Sequence, residues 1–426
     1  MNKTEGGTGF FSLFDSSNRL PALVIFGLAF MLRLAWAIKV KAPPISDFQI
    51  YDLVGLSVSK GAGFTLGGQP MSAWGPGYPA FLGTLYFLVG HSIGAAKLAN
   101  ALFGGVSALL LFFIGQRVFG LWAGALSGLM LAVYPEHLYY SALLASENLF
   151  IPLLLGSILL YLIGREQSDW RIIGAAGLLL GAGTLVRPAG VVVPAAFAFW
   201  ELVTWEGFRK VAIRLAVFGV AMIILIAPWT IRNYYTFNGF VPLSTSSGVS
   251  LWMGFNQHAT GGYYFPSSPQ ENPFYGMTDV VKEDERGRQL GLHFIQEHPG
   301  KALKLYWVKM RILYGTGSDA VMWLENSLGG SLLDNRGPLA GAIETGAYWF
   351  VWISALAGLA FTRLRRGPAW LFIFLFAVWS LFHPIIITAR RFRLPIMPAM
   401  ILFSGYAVYK VVGFLGTRLP RKPAEA

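Results

Sequence analysis

The residues best suited to chemistry are a few acids and arginines set in otherwise apolar surroundings. The stretch Pro43-Pro-Ile-Ser-Asp-Phe-Gln-Ile-Tyr-Asp52 reads as the start of a short helix. On it Asp47 and Tyr51 are four apart and share a face, while Asp52 points elsewhere. An acid at the mouth of a membrane cavity has the chemistry of a general base. Ser46 and Asp47 are also favoured helix caps, and the residues alone leave both roles open for Asp47. Glu147 opens an apolar run after Tyr134-Pro-Glu-His137. It is either an acid favoured by a helix dipole or a second acid facing the same cavity. Arg390, Arg391 and Arg393 form a cluster that suits a phosphate. The same cluster suits snorkelling toward lipid headgroups. Arg187, before Pro188 and flanked by apolar residues, is costly at membrane depth and so a functional candidate.

Other chemistries find less support. The six histidines make no metal signature, and His293 with Glu297 reads as a solvated pair. No Walker loop is present, so an enzyme here needs a donor already in the membrane. With no Cys, disulfides and thiolate metal sites are excluded.

These residues must be positioned by membrane helices. Of 426 residues, 55% are hydrophobic and 13% charged, well below the roughly 25% charged of soluble domains. The apolar residues fall in blocks of about 20, the length that crosses a bilayer as a helix. The expected fold class is all-α, a polytopic membrane protein with about ten spans. These centre on Leu20–Val40, Ala95–Ile114, Leu121–Tyr134, Leu149–Ile163, Ile172–Val186, Ala189–Val203, Val211–Ile231, Ala340–Phe361, Ala369–Ile387 and Leu394–Phe414. The first block reads as a retained span rather than a signal peptide. Gly77–Val89 is short and flanked by Gly and Pro, and reads as an interfacial or re-entrant helix.

The net charge of +12 is explained by loops rather than by nucleic acid. With Gly77–Val89 left out, the basic clusters at Arg117, Arg165 with Arg171, Arg209 with Lys210, Arg363–Arg366 and Arg418–Lys422 share the side of the N-terminus. That predicts a cytoplasmic N-terminus and an outer Arg390–Arg393 turn, against the usual bias. Two long stretches, 41–94 and 233–338, then lie outside. In the second, Pro299 opens a helix with a Leu303, Trp307, Met310 and Tyr314 stripe, expected on the membrane surface.

At these residues the chain resembles the GT-C superfamily of membrane glycosyltransferases, and within it the bacterial relatives of protein O-mannosyltransferases and of the lipid A aminoarabinose transferases. The matching stretches are Ser46-Asp47 through Tyr51-Asp52, Pro76-Gly-Tyr-Pro-Ala-Phe-Leu82, Ser146-Glu147-Asn-Leu-Phe150 and Leu185-Val-Arg-Pro188. They continue with Pro228-Trp-Thr-Ile-Arg-Asn233, Gly254-Phe-Asn256 with Gly261-Gly-Tyr263, and Arg391-Phe-Arg-Leu-Pro395. The resemblance implies a seven-span module over 1–231, with its first periplasmic loop at 41–94. A large periplasmic loop subdomain at 232–338 and a variable three-span module with a cytoplasmic tail at 339–426 follow.

It also implies an inverting transferase of a bacterial inner membrane, working on the periplasmic face among membrane lipids. The donor would be a polyprenyl-phosphate-linked sugar and the acceptor a cell-envelope lipid, glycan or protein, with no nucleic acid partner. Asp47 maps onto the family's base. Some members place two adjacent acids there; here Ser46 precedes Asp47, so a supporting acid must come from Asp52 or Glu147, beside Tyr51, or is not needed. Arg390, Arg391, Arg393 or Arg187 would stabilise the charge on the leaving phosphate. No cofactor is required by the sequence, and the resemblance leaves a divalent metal open. The competing readings are a flippase of lipid-linked sugars and an O-antigen ligase or polymerase. A flippase would want charges facing one another across mid-membrane helices. Here the acids and arginines sit at one interface, which favours the enzyme.

Overall fold

A computed structural model describes residues 16–266, 268–317, 319–330, 337–362 and 367–418 of the chain. The basic stretch 363–366 and the tail 419–426 lie outside the described residues. Among the described residues the regular structure is helical apart from one pair of two-residue strands. Lipid leaves backbone groups no outside partner, and a helix satisfies them within one segment.

Helix α1 (Ser16–Lys39) leads through an irregular stretch containing Pro43-Pro44 into α2 (Asp47–Ser59). Strands β1 (Thr65–Leu66) and β2 (Gln69–Pro70) pair antiparallel, and α3 (Gly77–Val89) folds back on α2. Next come α4 (Ile93–Phe119), α5 (Leu121–Val133), the short α6 (Pro135–Tyr140), α7 (Glu147–Gln167) and α8 (Trp170–Val186). A 3₁₀ turn over Pro188–Val192 precedes α9 (Val193–Val203), and α10 (Phe208–Phe237) follows. Gly120 alone joins α4 to α5, with φ of 96°, a conformation that needs the missing Cβ.

The 232–338 region supplies α11 (Ser247–Gly254), α12 (Val280–Glu297), α13 (Pro299–Leu313) and α14 (Asp319–Ser327). It has its own small cluster of Phe255, Phe294 and Ala302. The chain ends with α15 (Gly337–Phe361), α16 (Ala369–Phe382), a 3₁₀ stretch over Arg390–Ile396 and α17 (Met397–Arg418).

Among the described residues six helical stretches are long and apolar enough to cross a membrane: α1, α4, α7, α10, α15 and Arg390–Leu415. The other four expected spans are shorter apolar helices at Leu121–Val133, Trp170–Val186, Pro188–Val203 and Ala369–Ile385, as is Gly77–Val89. The protein is a multi-pass membrane protein. The outward faces of α1, α10 and α15 expose Leu23, Ile223 and Ile353 at 64–70%, as suits lipid contact. Helix α13 begins at Pro299 as expected and exposes Leu303 and Trp307. Its last turn departs from the expected stripe. Tyr314 packs on Trp352 and Phe376 and hydrogen-bonds Ser380, while Lys309 is fully buried. His293 and Glu297 pair at 3.2 Å with both side chains more than half exposed.

Candidate active site

Four charged side chains from four separate elements form a chain at one end of the bundle. Asp47 is the first residue of α2, and its carboxylate lies 2.6 Å from Nη2 of Arg391. Nε of Arg391 lies 3.8 Å from Glu147, the first residue of α7. Glu147 is 2% exposed and meets Nη1 of Arg187, the C-cap of α8, at 2.6 Å. The same nitrogen donates to Ser146 Oγ at 3.2 Å. Burial of these charges is tolerable because each has a partner of opposite sign. Glu147 also sits where a helix dipole favours an acid, so that role and the pairing coincide.

Arg187 and Arg391 face a cavity of about 220 Å³. Tyr51, Trp74, Ser146 and the hydroxyl-rich segment with Ser244, Ser246, Ser247 and Ser250 complete much of its wall. The 73–77 loop reaches this wall because Gly75 has no side chain: a Cβ there would lie 2.3 Å from the Leu185 carbonyl oxygen. Among the described residues Nη1 of Arg391 and Nη2 of Arg187 have no protein partner, so both guanidinium groups keep donors for a ligand. Burial, reinforced by the Asp47 charge, pushes the Tyr51 phenol up to about 12, so it stays a hydrogen-bond donor at neutral pH.

Ser46, the N-cap of α2, has φ 51° and ψ −130°, and its side chain makes no capping bond. Such a backbone is strained for a residue with a Cβ, by about 1–3 kcal/mol.

The arginine cluster does not act as a unit. Arg390 turns to Asp319 at 2.8 Å. Arg393 is 1% exposed and reaches the Gly315 carbonyl at 2.7 Å, Glu136 at 3.4 Å and the face of Tyr348. Residues three apart eclipse one another on a 3₁₀ turn, so Arg390 and Arg393 both point toward 315–319. Arg391 is rotated by a third of a turn and is the member of the cluster that faces the cavity. Of the four arginines named as phosphate candidates, Arg391 and Arg187 line the cavity, and Arg390 and Arg393 do not. Asp52 is likewise set apart. It accepts from the Tyr86 hydroxyl at 2.7 Å and lies 2.9 Å from His91. Five residues on a helix turn it about 140° from Asp47.

Residues 71–231 match the family model of dolichyl-phosphate-mannose-protein mannosyltransferases. That stretch holds Glu147 and Arg187 and stops short of Arg391. The Archaeoglobus fulgidus oligosaccharyltransferase complex with zinc and sulfate superposes with a TM-score of 0.56 at 13% identity, over 93% of this chain and 50% of that one. The Archaeoglobus fulgidus oligosaccharyltransferase AglB, in complex with an inhibitory peptide and a dolichol-phosphate, gives 0.56 at 12%, over 95% and 52%. The fold is that of the GT-C membrane glycosyltransferases. The chain spans about half the length of these two structures. ArnT from Cupriavidus metallidurans bound to undecaprenyl phosphate aligns over 94% of this chain and 81% of that one at 14% identity; its TM-score of 0.47 adds nothing to the assignment. Among curated proteins none matches the chain in sequence.

Zinc in one GT-C structure raises the question of a metal here. Among the described residues no three His, Asp or Glu side chains converge. Asp47 and Glu147, the two acids paired with the arginines of the cavity, are bridged by Arg391, a fixed cation standing between them. This arrangement does not fit a divalent ion.

Three features of this site were not anticipated from sequence. Asp319, buried at the start of α14, accepts from Nη1 of Arg390 and from the backbone N–H of Arg391 at 3.2 Å. It anchors the turn that presents Arg391, and an aspartate in a long loop carries no sequence signal of that. The serine wall gave no signal either, since isolated serines are ordinary loop residues. Lys309 lies under the same wall. Its ammonium donates to the Ile386 carbonyl at 3.2 Å and sits 3.4 Å from the centre of the Phe255 ring. Burial pushes it down to about 7. Its neighbour Gly254 is part of the Gly254-Phe-Asn256 stretch, the one available hint.

Proposed function

We propose that the protein is an inverting glycosyltransferase that moves a sugar from a polyprenyl-phosphate donor to a lipid, glycan or protein acceptor. The observation that carries the reading is the Asp47–Arg391–Glu147–Arg187 chain opening onto a cavity. It joins an acid and two cations with spare donors at one membrane interface. The match of 71–231 to a family of dolichyl-phosphate-sugar enzymes and the dolichol-phosphate bound by AglB support the donor class. We place the cavity on the periplasmic face of a bacterial inner membrane, from the alternation of basic clusters.

In this mechanism the donor phosphate settles on Arg391 and Arg187. It competes with Asp47 for Arg391 and so frees the carboxylate. Asp47 then takes the acceptor proton while the acceptor oxygen attacks the anomeric carbon from the face opposite the phosphate. The bond from that carbon to the phosphate oxygen breaks, and its electron pair leaves with polyprenyl phosphate. The two guanidinium groups are already in place for the charge that develops there, which lowers the barrier rather than merely tightening binding. Glu147 holds both arginines in register.

The test is transfer from a labelled polyprenyl-phosphate sugar in proteoliposomes. Transfer by wild type, with loss in Asp47→Asn, is the expected result. Movement of intact labelled lipid between leaflets without transfer would instead establish a flippase. The sidedness is tested by single cysteines in spheroplasts. Gln270→Cys should react with an impermeant thiol reagent and Lys410→Cys only after lysis; the reverse pattern sinks the topology.

A further inference from the structure

A second cavity, of about 440 Å³, opens between the end of α1, the 40–44 stretch and the start of α4. It shares no lining residue with the cavity at Arg391. Leu34, Ile38 and Leu98 wall it, and Lys41 and Lys97 stand in it. Lys97 is 6% exposed. Its ammonium donates to the carbonyls of Val40 at 3.1 Å and Ala42 at 2.8 Å. Those bonds clamp the end of α1 and use two of three N–H groups. They explain where the side chain lies but, among the described residues, leave its charge without a counter-ion. No carboxylate of those residues lines the cavity, and Lys41 is exposed beside it. A buried ammonium facing only carbonyls and apolar walls is a costly arrangement unless an anion completes it.

The outer surface leading from this cavity is apolar. Ile38 is 66% exposed and Leu98 47%. The exposed face continues along α1 through Met31, Leu28 and Val24, spaced three, four or seven apart, and along α4 through Leu102. Cations at the end of a membrane helix, above an apolar track, match the layout of a lipid with an anionic head and a hydrocarbon tail.

We infer that this cavity binds the phosphate of an anionic bilayer phospholipid, held by Lys97 and Lys41, with an acyl chain lying along the joint face of α1 and α4. The test is native mass spectrometry of the full chain released from detergent with equal phosphatidylglycerol and phosphatidylcholine. Wild type should retain phosphatidylglycerol preferentially. Lys41→Gln, on the surface, should cut that preference about fivefold, the effect of one lysine at an anionic lipid. Lys97→Gln should cut it further, with a melting curve run alongside because it also releases the α1 clamp. Lys410→Gln, on α17 and outside the lining of this cavity, should change nothing. Unchanged preference in Lys41→Gln, or a loss as large in Lys410→Gln, would overturn the site. Displacement of the lipid by excess inorganic phosphate would make it a free-anion site and overturn the lipid assignment.

Discussion

The two ends of the bundle use the same kinds of residue in different ways. At the end opposite the candidate site, Arg165 and Arg214 meet Glu201 and Glu206. Glu201 is fully buried and also accepts from the Tyr161 hydroxyl at 2.9 Å. Arg165 stacks over Trp200 at 4.2 Å and donates to Thr204. Each acid there touches both arginines and each arginine both acids, so the charges form a closed ring. At the candidate site the same two-acid, two-arginine inventory forms an open chain, about 27 Å away along α7 by helix rise. Its arginines touch a cavity and keep spare donors. A closed ring holds helices together; an open chain can accept a ligand. Counting charges at an interface does not distinguish the two, and connectivity does.

Breaking the ring should cost the most in stability. Arg214→Ala leaves the buried Glu201 short of a partner and is expected to destabilise by about 3–5 kcal/mol. Melting in detergent should show this, while sugar transfer per folded molecule stays near wild type. Breaking the open chain should do the opposite. Asp47→Asn should reduce transfer on the order of a hundredfold or more with normal abundance, since the amide keeps the size but cannot take a proton. Asp52→Asn sharpens the contrast. It should lower stability by about 1–3 kcal/mol through Tyr86 and His91 and leave transfer per folded molecule intact.

Arg391→Ala should weaken use of limiting donor ten- to a hundredfold, as expected for a charge-assisted contact of about 1.5–3 kcal/mol. An equal loss in Arg393→Ala, corrected for folded protein, would contradict the division of the arginine cluster. Asp319→Asn should act more mildly, raising the donor KM several-fold with kcat less affected, because it positions Arg391 without touching substrate.

Lys309→Met should change the pH dependence of stability. The folded Lys309 titrates at about 7, below its unfolded value of 10.5. Between those values the unfolded chain binds more protons, so stability rises with pH across that window. The full penalty is present below pH 7. Wild type should therefore melt higher at pH 9 than at pH 6.5 by more than the variant does. Parallel curves would remove Lys309 from the account.

Much of the architecture was legible in the residues. All ten expected spans fall on apolar helices, because burial in lipid demands long apolar runs and admits little else. The lengths were less legible, since four of those helices are shorter than a full crossing. Periodicity also placed Tyr51 on the cavity and turned Asp52 away, as helical geometry requires. The start of α13 followed from Pro299 and its end did not, because Tyr314 and Lys309 are buried by partners from distant segments.

By itself, then, the sequence determined the membrane class, the helical elements and the types of charge able to act at an interface. Those properties depend on local composition and spacing. Only the tertiary structure decided which charges meet. Asp47 and Arg391 are 344 positions apart and lie 2.6 Å from each other. Arg390 and Arg393, beside Arg391 in the chain, are carried off to Asp319 and Glu136. The direction of a side chain on a one-residue rotation, and the partner waiting there, come from the packing of separate helices, which no local pattern records.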